Sequence, residues 1–383
     1  MNTLTFGSLA RLGTLALLVA LQCVLGAPMA RPAFAEQADA RTGVEGIASI
    51  AEATGDNELA DPFLEAASVS RTSSTALAST PGSVALGVYR PSFPNDLSGL
   101  AEYEKAMKHP VSIVHWYALW GGWKSAFSRA DLDAVSAHGS LPMITWEPWS
   151  GSGPDPAWSL QSAILSGQND AYIASWAEGM AAYGKPVVLR FAHEMHNQPG
   201  YPWAVGVNGN TAADYVAAWK HVRGIFRAAG ATNVLWVWNP NTLGTAPVSA
   251  YQPIYAALYP GDDQVDYLGL DIYNTGPQLD WGAPFWRSFG EALVNPYTAI
   301  TSLSAKRLLL PEVGSTETGG SKAQWIQDAL GSGLDRFPAV RALVWFDVDK
   351  EQPWSLHSST TALGAWKTGS ADARFNVGPS VPA

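Results

Sequence analysis

Eight short apolar runs, rich in β-branched and aromatic residues, alternate with longer segments of helical period between residues 84 and 372. This alternation constrains the fold more than any other feature, because it predicts parallel strands joined by helices. The strand candidates are 84–90, 111–119, 142–149, 186–194, 233–240, 265–273, 307–314 and 341–348. The helical segments are 97–109, 129–139, 170–184, 211–230, 248–258, 285–304, 321–337 and 360–372. Eight such strand–helix units predict an α/β protein with the (β/α)8 TIM-barrel fold.

An open, doubly wound sheet is the alternative arrangement of such units. That fold usually carries a Gly-rich phosphate loop directly after its first strand. The corresponding stretch here, VYRPSFPND at 88–96, contains no glycine, so the barrel is favoured. Gly184 and Gly230 are predicted to end helices in the left-handed conformation, and Thr211 is predicted to cap the helix that follows it.

The N-terminal part of the chain differs from the predicted barrel. Residues 1–35 have the features of a secretory signal peptide, with an apolar run at 12–27 and an A-x-A cleavage site at 33–35. Residues 36–81 are rich in Ala, Ser and Thr, which predicts a leader or linker that buries little surface. We therefore expect a secreted, extracellular protein with a single catalytic domain at 82–375. A retained N-terminal anchor is the alternative.

Charge and cysteine content limit the partners of the chain. It carries 33 acidic and 23 basic residues, a net charge of −10. Without a basic run, such a chain is a poor binder of nucleic acid or anionic membranes. The single cysteine, Cys23, lies in the predicted signal, so we expect neither a disulfide nor thiol chemistry in the mature protein. We expect a monomer that does not associate with membranes after signal removal.

Two glutamates stand at the ends of predicted strands, where a (β/α)8 barrel has its active site. Glu194 and Glu312 each end a strand that is otherwise mainly apolar. Strand alternation places Arg190 on the face of Glu194, and Leu308 and Leu310 on the face of Glu312. Two carboxyl groups about 5 Å apart can cleave a glycosidic bond, one as nucleophile and the other as acid and base. For either glutamate alone, an ion pair or a loop anchor is the alternative role.

Aromatic residues crowd the same strand ends. Indole rings are large, rigid surfaces on which the C–H faces of pyranose rings can pack. The rings at or just beyond strand ends are those of Trp116, Trp120, Trp146, Trp149, Trp203, Trp238, Tyr273 and Trp345. Together they favour a sugar substrate, and core packing is the alternative for each one taken singly.

Other chemistries fit the sequence poorly. The run HEMH at 193–196 spaces its histidines i and i+3 at a strand end, whereas a zinc-protease helix needs i and i+4. We instead expect His193 to orient Glu194 or to contact a sugar hydroxyl, and His196 to be a loop residue. The chain has no G-x-S-x-G elbow. The acidic cluster at 347–351 lacks the spacing and glycine of a calcium loop, so a solvated loop without metal is predicted there, and a weak cation site is the alternative.

Several motifs give the chain a resemblance to glycoside hydrolase family 26, best known for β-mannanases, over residues 84–360. The resemblance depends on the order and spacing of GSLPMITWEPW, RFAHEM, YPW, GATNVLWVWNPN, YPGDDQVDYLGLDIYN, PEVGS and VWFDVDK. It implies a retaining (β/α)8 glycosidase with no cofactor and a polysaccharide substrate, with β-mannan as the first choice. Mixed-linkage β-glucan and β-1,3-xylan are the alternatives within the family. A non-catalytic glycan-binding barrel and a metal-dependent secreted hydrolase are the alternatives outside that activity.

The resemblance also implies residue roles. Glu194 is expected to be the general acid/base, Glu312 the nucleophile, Tyr273 a hydrogen-bond donor to that nucleophile, and Trp345 a platform beneath the sugar being cleaved. The residues expected to bind substrate are His193, Arg190, Trp203, Trp238, Tyr273, Trp345, Trp116, Trp146 and Glu147. The chain departs from the family pattern H-E-M-N-G-x-W, because it reads HEMHNQPGYPW and has His196 where Asn is expected.

Overall fold

The computed structural model describes residues 82–108, 110–278 and 285–382. The predicted signal at 1–35 and leader at 36–81 lie outside the described residues, so both stay predictions. Within the described ranges, no helix combines the length and apolarity that crossing a bilayer requires.

In the described ranges, nine parallel strands form one closed sheet. They are β1 (Ala85–Tyr89), β2 (Ile113–Leu119), β3 (Leu141–Glu147), β4 (Val187–Phe191), β5 (Val234–Trp238), β6 (Tyr267–Gly269), β7 (Ile272–Asn274), β8 (Leu308–Ser315) and β9 (Val340–Phe346). The order β6-β5-β4-β3-β2-β1-β9-β8-β7 closes through a pairing of β6 with β8. Because β6 and β7 are two halves of one predicted strand, interrupted at Leu270 and Asp271, the sheet is an eight-stranded barrel. The predicted (β/α)8 fold is confirmed.

Helices lie in each predicted helical segment. They are α1 (Ala101–Met107), α2 (Arg129–His138), α3 (Asp170–Tyr183), α4 (Ala212–Ala228), α5 (Val248–Leu258), α6 (Phe289–Leu303), α7 (Lys322–Leu330), α8 (Ser332–Asp335) and α9 (Thr360–Gly369). The predicted helix ends are confirmed, since Gly184 and Gly230 have φ of 73° and 74°. Thr211 and Asp214 form a capping box at the start of α4, which satisfies backbone N–H groups there.

Strand alternation divides the barrel residues into two layers. Side chains that point inward form a small apolar cluster, which includes Ala85, Ile113, Val188 and Val344. Residues of the other parity join the larger core between the strands and the helices. Val377 packs against the inner cluster, and its carbonyl accepts a hydrogen bond from Ser112 Oγ at 2.7 Å. Val377, two residues after the predicted end of the domain at 375, therefore contributes to the packing of the barrel.

Candidate active site

A fully buried arginine forms the centre of the site. Arg190 lies near the end of β4 and points into the barrel, as alternation predicts. Its Nη1 donates to Glu312 Oε1 at 2.5 Å and to Thr145 Oγ1 at 3.0 Å. Its Nη2 donates to Asp271 Oδ2, and its Nε donates to Asn239 Oδ1 at 3.2 Å. Buried charges are tolerated when they are paired and hydrogen-bonded, and this guanidinium is held in one orientation by four residues.

Glu312, on β8, is held as a carboxylate. Tyr117 of β2 donates to Oε1 at 2.5 Å, and Tyr273 of β7 donates to Oε2 at 2.7 Å. Burial alone would raise the pKa of Glu312. The charge of Arg190 and the hydrogen bond from Tyr117 outweigh that effect, so the pKa of Glu312 lies well below its ordinary value. Glu312 is therefore an ionised, precisely oriented group in a buried site.

Glu194 reaches the site by a different backbone route from the predicted one. Strand β4 ends at Phe191, and alternation does not continue to Glu194, because Ala192 and Glu194 have φ of 42° and 50°. Non-glycine residues in this region are strained, and such strain concentrates at functional sites. The amide of Glu194 donates to Asn239 O at 2.8 Å, which holds the turn against the neighbouring strand end.

The carboxyl group of Glu194 behaves oppositely to that of Glu312. Burial raises the pKa of Glu194 to about 7, and the negative charge of Glu312 acts in the same direction. Arg190 and a 2.9 Å hydrogen bond from Gln198 Nε2 to Oε2 oppose the rise without cancelling it. A pair of carboxyl groups with pKa values pushed apart is the arrangement that separates an acid from a nucleophile.

Asp271 is a third buried carboxyl group, and the sequence analysis missed it. It lies in the break between β6 and β7, and its Oδ2 accepts hydrogen bonds from Arg190 and, at 2.9 Å, from Asn239 Nδ2. A Cβ on Gly269 would lie 2.5 Å from Asn239 Oδ1, so glycine is needed there for the amide to reach this position. The available signal was an aspartate that follows an apolar run at a strand end, as Glu194 does.

A second group of predicted residues lines one wall of the site. The carboxyl group of Glu147, at the end of β3, accepts a hydrogen bond from Trp149 Nε1 at 3.1 Å and lies 3.8 Å from His193 Nδ1. Burial raises the pKa of Glu147 to about 7. Burial and the charge of Arg190 hold the pKa of His193 well below its ordinary value, so the imidazole is neutral. Tyr201 Oη lies 3.5 Å from His193 Nε2.

Five predicted tryptophans do not line the site. They are Trp116, Trp146, Trp203, Trp238 and Trp345, none more than 2% exposed. Trp146 contacts Trp176 of α3 with centroids 5.2 Å apart, and Trp345 lies between Trp325 and Trp366 of α7 and α9. The expectation that these rings bind substrate is contradicted. All except Trp203 lie on strands and have the parity that faces the helices.

The ring of Trp203 supports the site from behind. Its Nε1 donates to His193 O at 2.8 Å, and its ring stacks on Tyr201 with centroids 4.4 Å apart. Tyr201, which is half-buried, and the half-buried Trp149 are the aromatic rings of this wall that keep exposed surface. Neither was assigned to substrate by the sequence analysis, although Trp149 was among the rim aromatics.

His196 does not share surroundings with His193. Its ring is buried and packs edge-on against Tyr255 of α5 with centroids 5.8 Å apart. Both of its ring nitrogens lack a hydrogen-bond partner in the part of the chain that the structure describes. Burial alone lowers the pKa of His196 to about 4, so the ring is neutral. His196 is a packed residue of the turn after β4, beside the site rather than in it.

Known proteins are similar to this chain in sequence and in fold. Residues 159–295 match the model of Glycosyl hydrolase family 26, a range that includes Glu194 and ends before Glu312. Endoglucanase H of Acetivibrio thermocellus is 39% identical over 274 residues, 70% of this chain and 28% of that protein. Mannan endo-1,4-beta-mannosidase A and B of Caldalkalibacillus mannanilyticus is 25% identical over 188 residues, 48% of this chain and 31% of that protein.

The structural comparison agrees with these matches. The structure of a modular endo-beta-1,4-mannanase from Cellulomonas fimi has a TM-score of 0.59 and 18% identity, and the likeness covers 79% of this chain and 76% of that one. At this identity the likeness concerns the fold. The chain spans less than a third of the length of either curated relative. Residues 159–295 therefore resemble glycosyl hydrolase family 26, the 39% identity to endoglucanase H extends the likeness over 274 residues, and the closed parallel barrel is the fold of the solved mannanase structure.

Proposed function

We propose that this protein is a retaining glycosidase that cleaves β-linked polysaccharide within the chain. One observation carries the proposal. The ionised Glu312, held by Arg190, Tyr117 and Tyr273, lies in the same buried site as Glu194, whose pKa is raised to about 7. A retaining glycosidase needs one carboxylate that attacks and one carboxyl group that delivers and then removes a proton.

The reaction follows from these two states. Glu312 attacks the anomeric carbon while Glu194 donates its proton to the departing glycosidic oxygen. The product is a glycosyl-enzyme ester on Glu312 and an ionised Glu194. Glu194 then takes a proton from water, and the water oxygen attacks the anomeric carbon and releases Glu312. Two displacements at one carbon retain its configuration.

We infer a substrate with β-1,4 linkages, and mixed-linkage β-glucan is our first choice. A relative that aligns over 70% of this chain is an endoglucanase, which supports glucan over the mannan that the sequence resemblance favoured. Mannan is the second candidate, because a relative at 25% identity is a mannan endo-1,4-beta-mannosidase.

The test is release of reducing ends from barley β-glucan, glucomannan, galactomannan and β-1,3-xylan. Glu312→Ala removes the nucleophile, and Glu178→Gln, an exposed carboxyl on α3, is the matched control. Release by the wild type and the control, with none by Glu312→Ala, supports the proposal, and the substrate that is cleaved assigns the specificity. Glycan binding without release by the wild type would instead indicate a non-catalytic barrel.

We further propose that the mature protein is secreted as a monomer after cleavage near residue 35. The apolar run at 12–27 and the A-x-A site at 33–35 support this proposal. N-terminal sequencing of protein from the culture medium tests it. A chain that remains cell-associated with Met1 at its N-terminus would contradict it.

A further inference from the structure

A buried lysine outside the site joins the elements that position the nucleophile. Lys322 is the first residue of α7 and has no exposed surface. Lysine is almost never fully buried without partners, and a cation is disfavoured at the positive end of a helix. Its location therefore needs compensation from its surroundings.

That compensation comes from the loop after β9. The ammonium group donates to the carbonyl oxygens of Pro353 at 2.7 Å, Trp354 at 3.0 Å and Ser355 at 2.6 Å. It also donates to Ser358 Oγ at 2.9 Å, and that hydroxyl donates to Glu317 Oε1 at 2.7 Å. Three successive backbone carbonyls thus point at one cation, with a carboxylate one hydroxyl away.

The same loop is held from its other side by an anion. Asp347 Oδ1 accepts hydrogen bonds from the amide of Leu356 at 2.7 Å and from Ser355 Oγ at 3.1 Å. Trp345 Nε1 donates to Trp354 O at 3.0 Å. The backbone at 353–356 is therefore fixed by a cation on its carbonyls and an anion on its amide side.

Trp354 connects this loop to the nucleophile through Tyr273. Its ring is 1% exposed and packs against Tyr273 with centroids 4.9 Å apart, and Tyr273 donates to Glu312 Oε2 at 2.7 Å. Gly314 makes the contact possible, because a Cβ there would lie 2.9 Å from the Tyr273 ring and 3.2 Å from the Trp354 ring. The two rings and the backbone at Gly314 are therefore in close contact.

We propose that Lys322 is a positioning residue, which fixes the 353–358 loop and, through Trp354, keeps the Tyr273 hydroxyl on Glu312. The inference rests on the proposed function, because it assigns Glu312 the role of nucleophile. The 353–358 loop acts on Glu312 through Trp354 and Tyr273. A displacement of its backbone should therefore change the orientation of Glu312, and with it kcat, rather than the affinity for substrate.

The test compares Lys322→Met with Tyr273→Phe, alone and combined, on the substrate that the wild type cleaves. Lys367→Met, an exposed lysine on the neighbouring α9, is the control. We expect Lys322→Met to lower kcat by about 10- to 100-fold with little change in KM. The acid limb of its pH profile should move toward neutral pH, as in Tyr273→Phe, because both weaken a hydrogen bond that keeps Glu312 ionised. The double variant should be no slower than the slower single variant, since both changes break one pathway.

The outcomes separate this inference from the proposed function. If Lys322→Met only lowers the melting temperature, with kcat and the acid limb unchanged, Lys322 is structural and the inference is wrong. Rate losses that multiply in the double variant also contradict it. If Lys322→Met does not fold, Ser358→Ala and Trp354→Leu test the same pathway and should shift the acid limb in the same direction. An inactive wild type would overturn the proposed function and this inference together.

Discussion

Removal of one hydrogen bond to Glu312 should shift the pH dependence of the reaction by a predictable amount. Tyr117→Phe deletes the hydroxyl that donates to Oε1 at 2.5 Å and leaves the ring in place. A hydrogen bond to a charged group contributes about 1.5–3 kcal/mol, and about 1.4 kcal/mol corresponds to one pKa unit. Loss of this donor should therefore raise the pKa of Glu312 by about one to two units.

The sign of the effect on rate follows from the role of the carboxylate. Glu312 attacks only when ionised, so activity is lost as the pH falls through its pKa. A higher pKa moves the acid limb of the kcat/KM profile toward neutral pH by the same one to two units or so. The alkaline limb, which reports the acid form of Glu194, should stay in place, since Tyr117 does not contact that group in the described structure.

The assay is initial rate against pH between the limits at which the folded protein survives. Tyr183→Phe is the matched control, because it also deletes a buried tyrosine hydroxyl, one that bonds Ser136 and the backbone of α2 far from the site. A folded Tyr117→Phe variant whose acid limb coincides with those of the wild type and Tyr183→Phe would refute the reasoning.

Three further predictions concern stability and packing. Glu194→Gln and Glu147→Gln should each stabilise the protein at pH 8 by about 3 kcal/mol and leave it unchanged at pH 4, as checked by denaturant unfolding. A buried carboxyl group whose pKa is raised from 4.5 to about 7 lowers the stability of the folded protein as the pH rises through that window. Equal stabilisation by the substitution at both pH values would contradict this reasoning. Gly314→Ala should lower kcat at least tenfold or so, because its Cβ displaces the Tyr273 ring, and wild-type kcat would show that the ring can adjust. Asp271→Ala should destabilise the fold by about 3–5 kcal/mol in thermal unfolding, because it leaves a buried guanidinium with one carboxylate partner; a loss below about 1 kcal/mol would contradict the pairing.

The fold was predictable because its signals are local. Alternating apolar runs and helical segments identify the strands and helices, and their number identifies the barrel. Local sequence patterns do not predict the break in the sixth strand. Asp271 follows an apolar run within the predicted strand, yet the strand is interrupted at Leu270 and Asp271, and the Asp271 carboxyl group accepts a hydrogen bond from Arg190 of β4.

The site was predictable in part for the same reason. Arg190 and Tyr273 donate hydrogen bonds to Glu312 inside the barrel. The predicted face of Glu312 is wrong, because Leu308 and Leu310 pack in the helix-side core and Leu309 packs in the inner cluster. Glu312 reaches the interior through a register shift between Leu310 and Val313. Glu194 also reaches the site, but through a strained turn that strand parity does not describe. The residues that sequence reasoning missed are those that act as partners, such as Tyr117 and Asp271. Parity indicated Tyr117, which is two residues after the inward His115 on β2.

The sequence analysis assigned several tryptophans to substrate wrongly. Their number at the strand ends favoured a sugar platform, but parity, applied to each one, places four of them toward the helices. Trp146, for example, alternates with Thr145 and Glu147, both of which face the site. The role of Trp354 could not be predicted, since it depends on a loop fixed by Lys322 at a distance of about thirty residues in sequence.

The central claim is that Glu312 forms a covalent bond to the sugar, and trapping that bond tests it most directly. A 2-deoxy-2-fluoro glycoside of the cleaved sugar, with a good leaving group, slows release of the glycosyl-enzyme. Peptide mass spectrometry after proteolysis then locates the label. We expect the label on the peptide that contains Glu312, and none in Glu312→Ala. A label on Glu194 or Glu147, or rapid turnover with inversion at the anomeric carbon, would contradict the account.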